Sequence, residues 1–213
     1  MTSRPMNRRA MPASGMLKRL AGDTQGATLI EFAMILAPLC VLLLGGLDLG
    51  YQSYLRSVLQ GALNDVARAG SMEAPDLNCE GETVEAQVRC AVERRSDMIA
   101  RRASYTFEAR NFYEFSGVGR SEKLVTDYND NGAYDEGDCW EDLNENGVYD
   151  ADAGREGIGG ADDVVFYDVT VTMPRLFPMA GLVGAPDHYS ITAQAAIRNQ
   201  PYARQRIPPT VCG

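Results

Sequence analysis

The chain has 213 residues, enough for one sizeable domain and an appendage, and its formal net charge of −9 is unevenly spread. The acidic exported part and the lack of a basic face interleaved with aromatics argue against nucleic-acid binding. The one histidine, His188, in an APDHYS turn, reads as a surface or capping residue sooner than a catalytic one, no GxSxG elbow is present, and the GIGG at 157–160 lacks a preceding strand and a phosphate-loop lysine, so the reading is not an enzyme.

The first stretch, MTSRPMNRRAMPASGMLKRLAG, holds Arg4, Arg8, Arg9, Lys18 and Arg19 and no acid. From Ala27 to Leu47 the sequence ATLIEFAMILAPLCVLLLGGL is long and apolar enough to cross a bilayer as a helix, with Glu31 as its one charge. The basic flank places the N-terminus in the cytoplasm and everything after Asp48 on the far side. A cleaved secretory signal would share the basic and apolar regions, but the apolar run is too long and no small-residue cleavage site follows it. Helical periodicity continues through Tyr51, Tyr54, Leu55, Val58, Leu59, Ala62 and Val66, so residues 27–70 read as one rod. Pro38 should kink or loosen it. Gly46 and Gly50 have the spacing of a helix-contact motif, which chance accounts for equally well in such a span.

A loop, SMEAPDLNCEGE, precedes a short helix suggested by Val84, Val88, Ala91, Val92 and Met98. Alternation at Tyr105, Phe107 and Ala109, at Val165, Tyr167, Val169 and Val171, and at Ile191, Ala193, Ala195 and Ile197 marks three strands. The expected fold class is α+β: a long transmembrane-plus-soluble helix packed on a small antiparallel β-sheet, in a head spanning 71–213.

Between the first two of these strands, at 127–153, lies DYNDNGAYDEGDCWEDLNENGVYD followed by ADA. Counting from Asp127, side-chain oxygens fall at positions 1, 3, 5, 9 and 12 with Asp127, Asn129, Asn131, Asp135 and Asp138; Gly132 takes position 6 and Ala133 offers its carbonyl at 7. This is the ligand rhythm of a calcium loop. The count restarts with Asp142, Asn144, Asn146, Gly147, the Val148 carbonyl and Asp150, but position 12 is Ala153. The second loop therefore needs Asp152 or Glu156 to close it and should be the weaker. Oxygen-only donors favour calcium over zinc or copper as the cofactor. A single such loop would read as a solvated run of Asx turns; two in register favour metal. Only three residues separate the loops, which excludes the flanking helices of an EF-hand, and Tyr134 and Tyr149, both at position 8, could pair them side by side. No exposed Met groove adjoins them, so a structural clamp is favoured over a sensor.

Cys40 lies in the span and reads as a small apolar residue. The other four cysteines fall in the exported part, where disulfides persist, and allow three connectivities; Cys79 with Cys90 is the local choice, leaving Cys139 with Cys212.

GATLIEFAMILAPL resembles the start of TadE-like minor pseudopilins of the tight-adherence (Tad) pilus system, which are similar in type to type IV pilins. GGADDVVFYDVTVTMPRLFP and IRNQPY resemble, more loosely, the C-terminal half of TadE/TadG-like proteins. The resemblance implies a basic leader at 1–26, cut by a prepilin peptidase after Gly26 so that Ala27 heads the mature chain, and a Glu31 that meets the terminal amine of a neighbouring subunit. Ala27 stands where such pilins often carry an aromatic residue. The implied partners are the prepilin peptidase, other pilins or pseudopilins, the Tad secretion machinery and membrane lipid. The implied location is the bacterial inner membrane, N-terminus cytoplasmic and head periplasmic, with entry into a surface pilus and a part in adhesion as further expectations. The alternative is an uncleaved single-pass periplasmic calcium-binding interaction protein.

Overall fold

The computed structural model describes residues 25–177, 181, 184 and 186–213; the basic leader falls outside them up to residue 24. Two compact units meet within one helix, the first ending at Leu47 and the second running from Asp48 to Gly213.

Helix α1 runs Gln25–Gly70 without interruption, and Pro38 lies inside it. It is the one described helix long and apolar enough to cross a membrane. Its apolar side chains from Leu29 to Leu49 are exposed apart from half-buried Leu44, Leu29 and Leu42 each 73%. That is a burial pattern water would penalise and lipid or protein would not. Glu31 is exposed among them, and a side chain at Gly46 or Gly50 would meet open space.

Beyond Asp48 the character of the same helix changes. Leu55, Leu59, Ala62, Leu63 and Val66, at steps of three and four, are all buried. They form a core with Val88, Ala91 and Val92 of helix α2 (Val84–Ser96) and the inner face of a four-stranded sheet. Helix α2 starts at an N-cap, Thr83, whose hydroxyl accepts from the Ala86 amide at 3.1 Å. It ends at Ser96, so the expected helical face does not reach Met98. That residue sits in the following turn, 80% exposed, because the SDMIARR stretch offers no further apolar repeat for the core.

The sheet contains β1 (Ser104–Phe112), β4 (Arg155–Glu156), β5 (Val164–Pro174) and β6 (His188–Arg198), antiparallel in the order β4-β1-β5-β6. Alternation decides the faces: Val165, Tyr167, Val169, Val171, Ile191 and Ala193 are buried against the helices. The second half of α1 follows β6. Asp48 binds Tyr189, Gln60 donates to the Gln194 carbonyl at 2.8 Å, and Gln200 donates its amide to the Ser71 carbonyl at 2.9 Å. One end of the sheet therefore holds Ser104, Pro174 and His188 beside Asp48, and the other holds Phe112, Val164 and Arg198.

A second, three-stranded sheet was not expected. Strands β2 (Lys123–Thr126), β3 (Cys139–Glu141) and β7 (Thr210–Cys212) pair in the order β2-β3-β7, following on from the Phe112 end of the first sheet. Two disulfides are present, Cys79–Cys90 and Cys139–Cys212, the latter joining directly opposed residues of β3 and β7. Cys40 is free and exposed.

Candidate functional site

The acidic double loop is held by the small sheet: β2 leads into the first loop, β3 separates the two, and β4 follows the second. The loops repeat each other in backbone. At position 4, Asp130 and Glu145 have φ of 57° and 59°; at position 6, Gly132 and Gly147 both have φ of 76°. Glycine is needed at the sixth position because a Cβ is strained there.

The hydrogen bonds repeat as well. The Gly132 amide donates to Asp127 at 2.7 Å, and the Gly147 amide to Asp142 at 2.8 Å. The amides at position 5 donate to the Asn at position 3, and those at position 7 to the Asn at position 5. Asn129 and Asn131 both donate their side-chain amides to one oxygen of Asp135, at 2.7 and 2.5 Å; Asn144 and Asn146 do the same to Asp150, at 2.7 and 2.6 Å. Positions 3, 5 and 9 thus converge in each loop. The Gly132 amide, ahead of the other backbone bonds, lowers the Asp127 pKa below the usual carboxylate range.

Asp138, the expected twelfth ligand of the first loop, is buried, and its two oxygens accept the amides of Tyr128 and Asp135 at 3.0 and 2.9 Å. Those amides belong to positions 2 and 9. In the second loop the corresponding amides are those of Leu143 and Asp150, and both donate to Glu122, at 2.7 and 3.1 Å. Glu122 is likewise buried, and burial outweighs its three backbone donors to raise its pKa. The carboxylate that the second loop lacks at Ala153 is therefore supplied from upstream. Asp152 instead pairs with Arg110 at 2.8 Å, which lowers its pKa, and Glu156 lies on β4.

Tyr134 and Tyr149 stack with ring centroids 4.3 Å apart and planes 9° off parallel, and buried Trp140 meets both edge-on, at 5.2 and 6.1 Å. The two loops thus share an aromatic spine. Ala133 and Val148 follow the glycines with amides engaged by Asn131 and Asn146. Among the described residues, no three His, Cys, Asp or Glu side chains gather at metal-holding spacing. In each loop the side-chain nitrogens of the two Asn meet the position 9 carboxylate while their oxygens accept backbone amides, so a cation there would need those side-chain amides to turn their oxygens inward.

The remaining sequence candidates do not join this site. His188 is exposed and pairs with Asp187 at 2.8 Å, and GIGG is a turn with positive φ at Gly157 and Gly159. Gly26, Ala27 and Glu31 all lie in α1.

Among the described residues one long apolar helix runs into an α+β head with two disulfides, an arrangement that fits membrane anchoring. Residues 26–68 match the family described as TadE-like protein, consistent with a TadE-like protein of the Tad pilus system. The match covers α1 and stops short of the loops. No curated protein and no solved structure matches the chain.

Proposed function

We propose that the chain is a minor pseudopilin of a Tad-type pilus, cut by a prepilin peptidase between Gly26 and Ala27, with its N-terminus cytoplasmic before cutting and its head periplasmic. The observation that carries this reading is the TadE-like match, which opens at Gly26 and runs through the exposed apolar half of α1. A basic leader, glutamate fifth after the cut and a retained helix support it. In the assembly Glu31 neutralises the terminal amine of a neighbouring subunit, because a carboxylate among exposed apolar side chains is costly without a partner.

The head is a calcium-stabilised module in the same proposal. Two loops with the same positive φ at positions 4 and 6 and the same ladder of Asx bonds, each bringing together the side chains at positions 3, 5 and 9 and each backed by a buried carboxylate, support calcium at both. Asp138 backs the first and Glu122 the second. The loops precede β4, which pairs with the Arg110–Asn111 end of β1, and in this reading they offer contact to other pilus components or a surface.

Mass spectrometry of the N-terminus from native membranes tests the proposal. The expected mature chain begins at Ala27. A chain that keeps its leader in cells with an active prepilin peptidase overturns processing and leaves an uncleaved anchor.

A further inference from the structure

Position 5 of both acidic loops is asparagine and position 6 glycine, although an aspartate would serve a cation equally well at the fifth place. Asn131–Gly132 and Asn146–Gly147 are the only two Asn–Gly bonds in the chain. Such a bond is open to rearrangement, because glycine has no Cβ to keep its nitrogen away from the preceding side-chain carbonyl. The glycine nitrogen attacks the asparagine Cγ, a new C–N bond closes a succinimide ring, and the side-chain nitrogen leaves as ammonia with the proton of the glycine amide. Water then opens the ring at either carbonyl to give aspartate or isoaspartate, with nothing oxidised or reduced.

In the closed loops neither reacting atom is free. The Gly132 amide donates to Asp127 at 2.7 Å and the Gly147 amide to Asp142 at 2.8 Å. The Asn131 side chain is held at both ends, its oxygen by the Ala133 amide at 2.7 Å and its nitrogen by Asp135 at 2.5 Å. Asn146 is held likewise by Val148 and Asp150, at 2.7 and 2.6 Å. Reaction therefore waits on local opening of the loop.

The two loops differ in what resists that opening. Residues 128–133 of the first are all exposed, its Asp127 is half-buried, and Asp130 at position 4 has no ion pair among the described residues. In the second, Asp142 is buried, and Glu145 at position 4 pairs with Arg206 at 2.6 Å and Arg155 at 3.8 Å. Arg206 also donates to the Leu143 carbonyl, and it precedes β7, which is paired with β3. The C-terminal tail thus clamps the second loop at the segment that the first leaves unclamped.

We propose that Asn131 is a spontaneous modification site of the head, converted through the succinimide to aspartate and isoaspartate when the first loop opens, and that Asn146 is its clamped, slow counterpart. Isoaspartate carries the backbone through the side chain and adds a carbon between positions 5 and 6, so the donor spacing is lost and the loop cannot reclose as before. A transient loss of the cation becomes a permanent change in the head. That cation dependence rests on the calcium reading of the loops, whereas the ranking of the two asparagines does not.

The full chain in detergent, disulfides oxidised, is held warm near neutral pH with calcium, with chelator or in denaturant, and then digested. Mass spectrometry reads the change from amide to acid in each peptide, and an isoaspartyl methyltransferase reads isoaspartate. In denaturant Asn131 and Asn146 should convert at similar rates, with Asn129 and Asn144, which precede Asp130 and Glu145, far behind. In chelator Asn131 should convert severalfold faster than Asn146, and calcium should slow Asn131 severalfold. Arg206→Ser should bring Asn146 up toward Asn131 and leave Asn131 unchanged. A folded chain in chelator that converts the two asparagines equally, or converts neither, overturns the inference. If Asn131 leads by the same margin and at the same rate with calcium as with chelator, the calcium reading fails and the modification site stands.

Discussion

Glu122 and Asp138 hold equivalent places in the two acidic loops, each carboxylate bridging the backbone amides of loop positions 2 and 9. Glu122 reaches its loop from 20 residues upstream of Asp142, and Asp138 reaches its own from 11 residues downstream of Asp127. The second loop is thereby as fully backed as the first. Replacing Glu122 by Ala orphans the three backbone donors of Leu143, Asn144 and Asp150, each worth roughly 1–3 kcal/mol, for an expected loss of about 3 kcal/mol or more. Asp138→Ala should cost a similar amount. In melts with calcium and with chelator, disulfides kept oxidised, each variant should lose part of the calcium-dependent rise in Tm, and the double variant nearly all. A Glu122→Ala chain with a full calcium response would separate Glu122 from cation binding.

The position of Glu122 marks where the sequence stops being legible. The ligand rhythm fixed the loops because position 1 to 9 contacts are local, and the alternation of β1, β5 and β6 was readable because those strands run for 9 to 11 residues with one buried face. The cysteine pairing followed from proximity and remainder. Glu122 was missed because a search for the closing oxygen looks forward from the loop, and a lone Glu in SEKL carries no period; the one signal was the missing oxygen at Ala153. Strands β2, β3 and β7, of three or four residues, are too short to show alternation, and exist through pairing with one another and the Cys139–Cys212 bond.

The two disulfides should differ in weight. Cys139–Cys212 closes 73 residues and Cys79–Cys90 closes 11, so chain-entropy reasoning gives about 4 and about 3 kcal/mol. Replacing both cysteines of a pair by Ser should lower Tm for either. Only loss of Cys139–Cys212 should also blunt the calcium response, because that bond pins β3 between the loops. An undiminished response in the Cys139→Ser, Cys212→Ser chain would detach the loops from the small sheet.

The turn at Gly154 is packed too tightly for a side chain. A Cβ there would sit 2.6 Å from an Arg110 nitrogen and 2.8 Å from the Phe112 ring. Gly154→Ala should push Arg110 away from Asp152 and cost about 1–3 kcal/mol by overpacking. Gly117→Ala, where nothing lies within 4 Å, is the control and should be nearly neutral. Equal melting of the two variants would show that the turn yields freely.

The tie between Asp48 and Tyr189 should make the head sensitive to alkali. Burial, followed by the hydrogen bond and charge of Asp48, raises the Tyr189 pKa from 10.0 to about 12. With the folded value above the unfolded one, the folded chain holds its proton longer, so this stabilisation is complete below about pH 10 and is lost as pH climbs toward about 12. The loss amounts to about 2 to 3 kcal/mol, two units at 1.36 kcal/mol each. Tyr189→Phe removes the titrating group and should flatten that slope, leaving the contributions of other tyrosines such as half-buried Tyr105. Asp48→Asn keeps an acceptor but strips Arg175, 16% exposed, of its counter-charge, and should cost about 2 kcal/mol near neutral pH. It should also bring the alkaline slope to lower pH, since the neighbouring charge that resists phenolate formation is gone. Thermal melts of the full chain in detergent, across neutral to alkaline pH, read both effects. If Tyr189→Phe and the parent chain lose stability in parallel through the alkaline range, the Asp48 tie does not govern the titration.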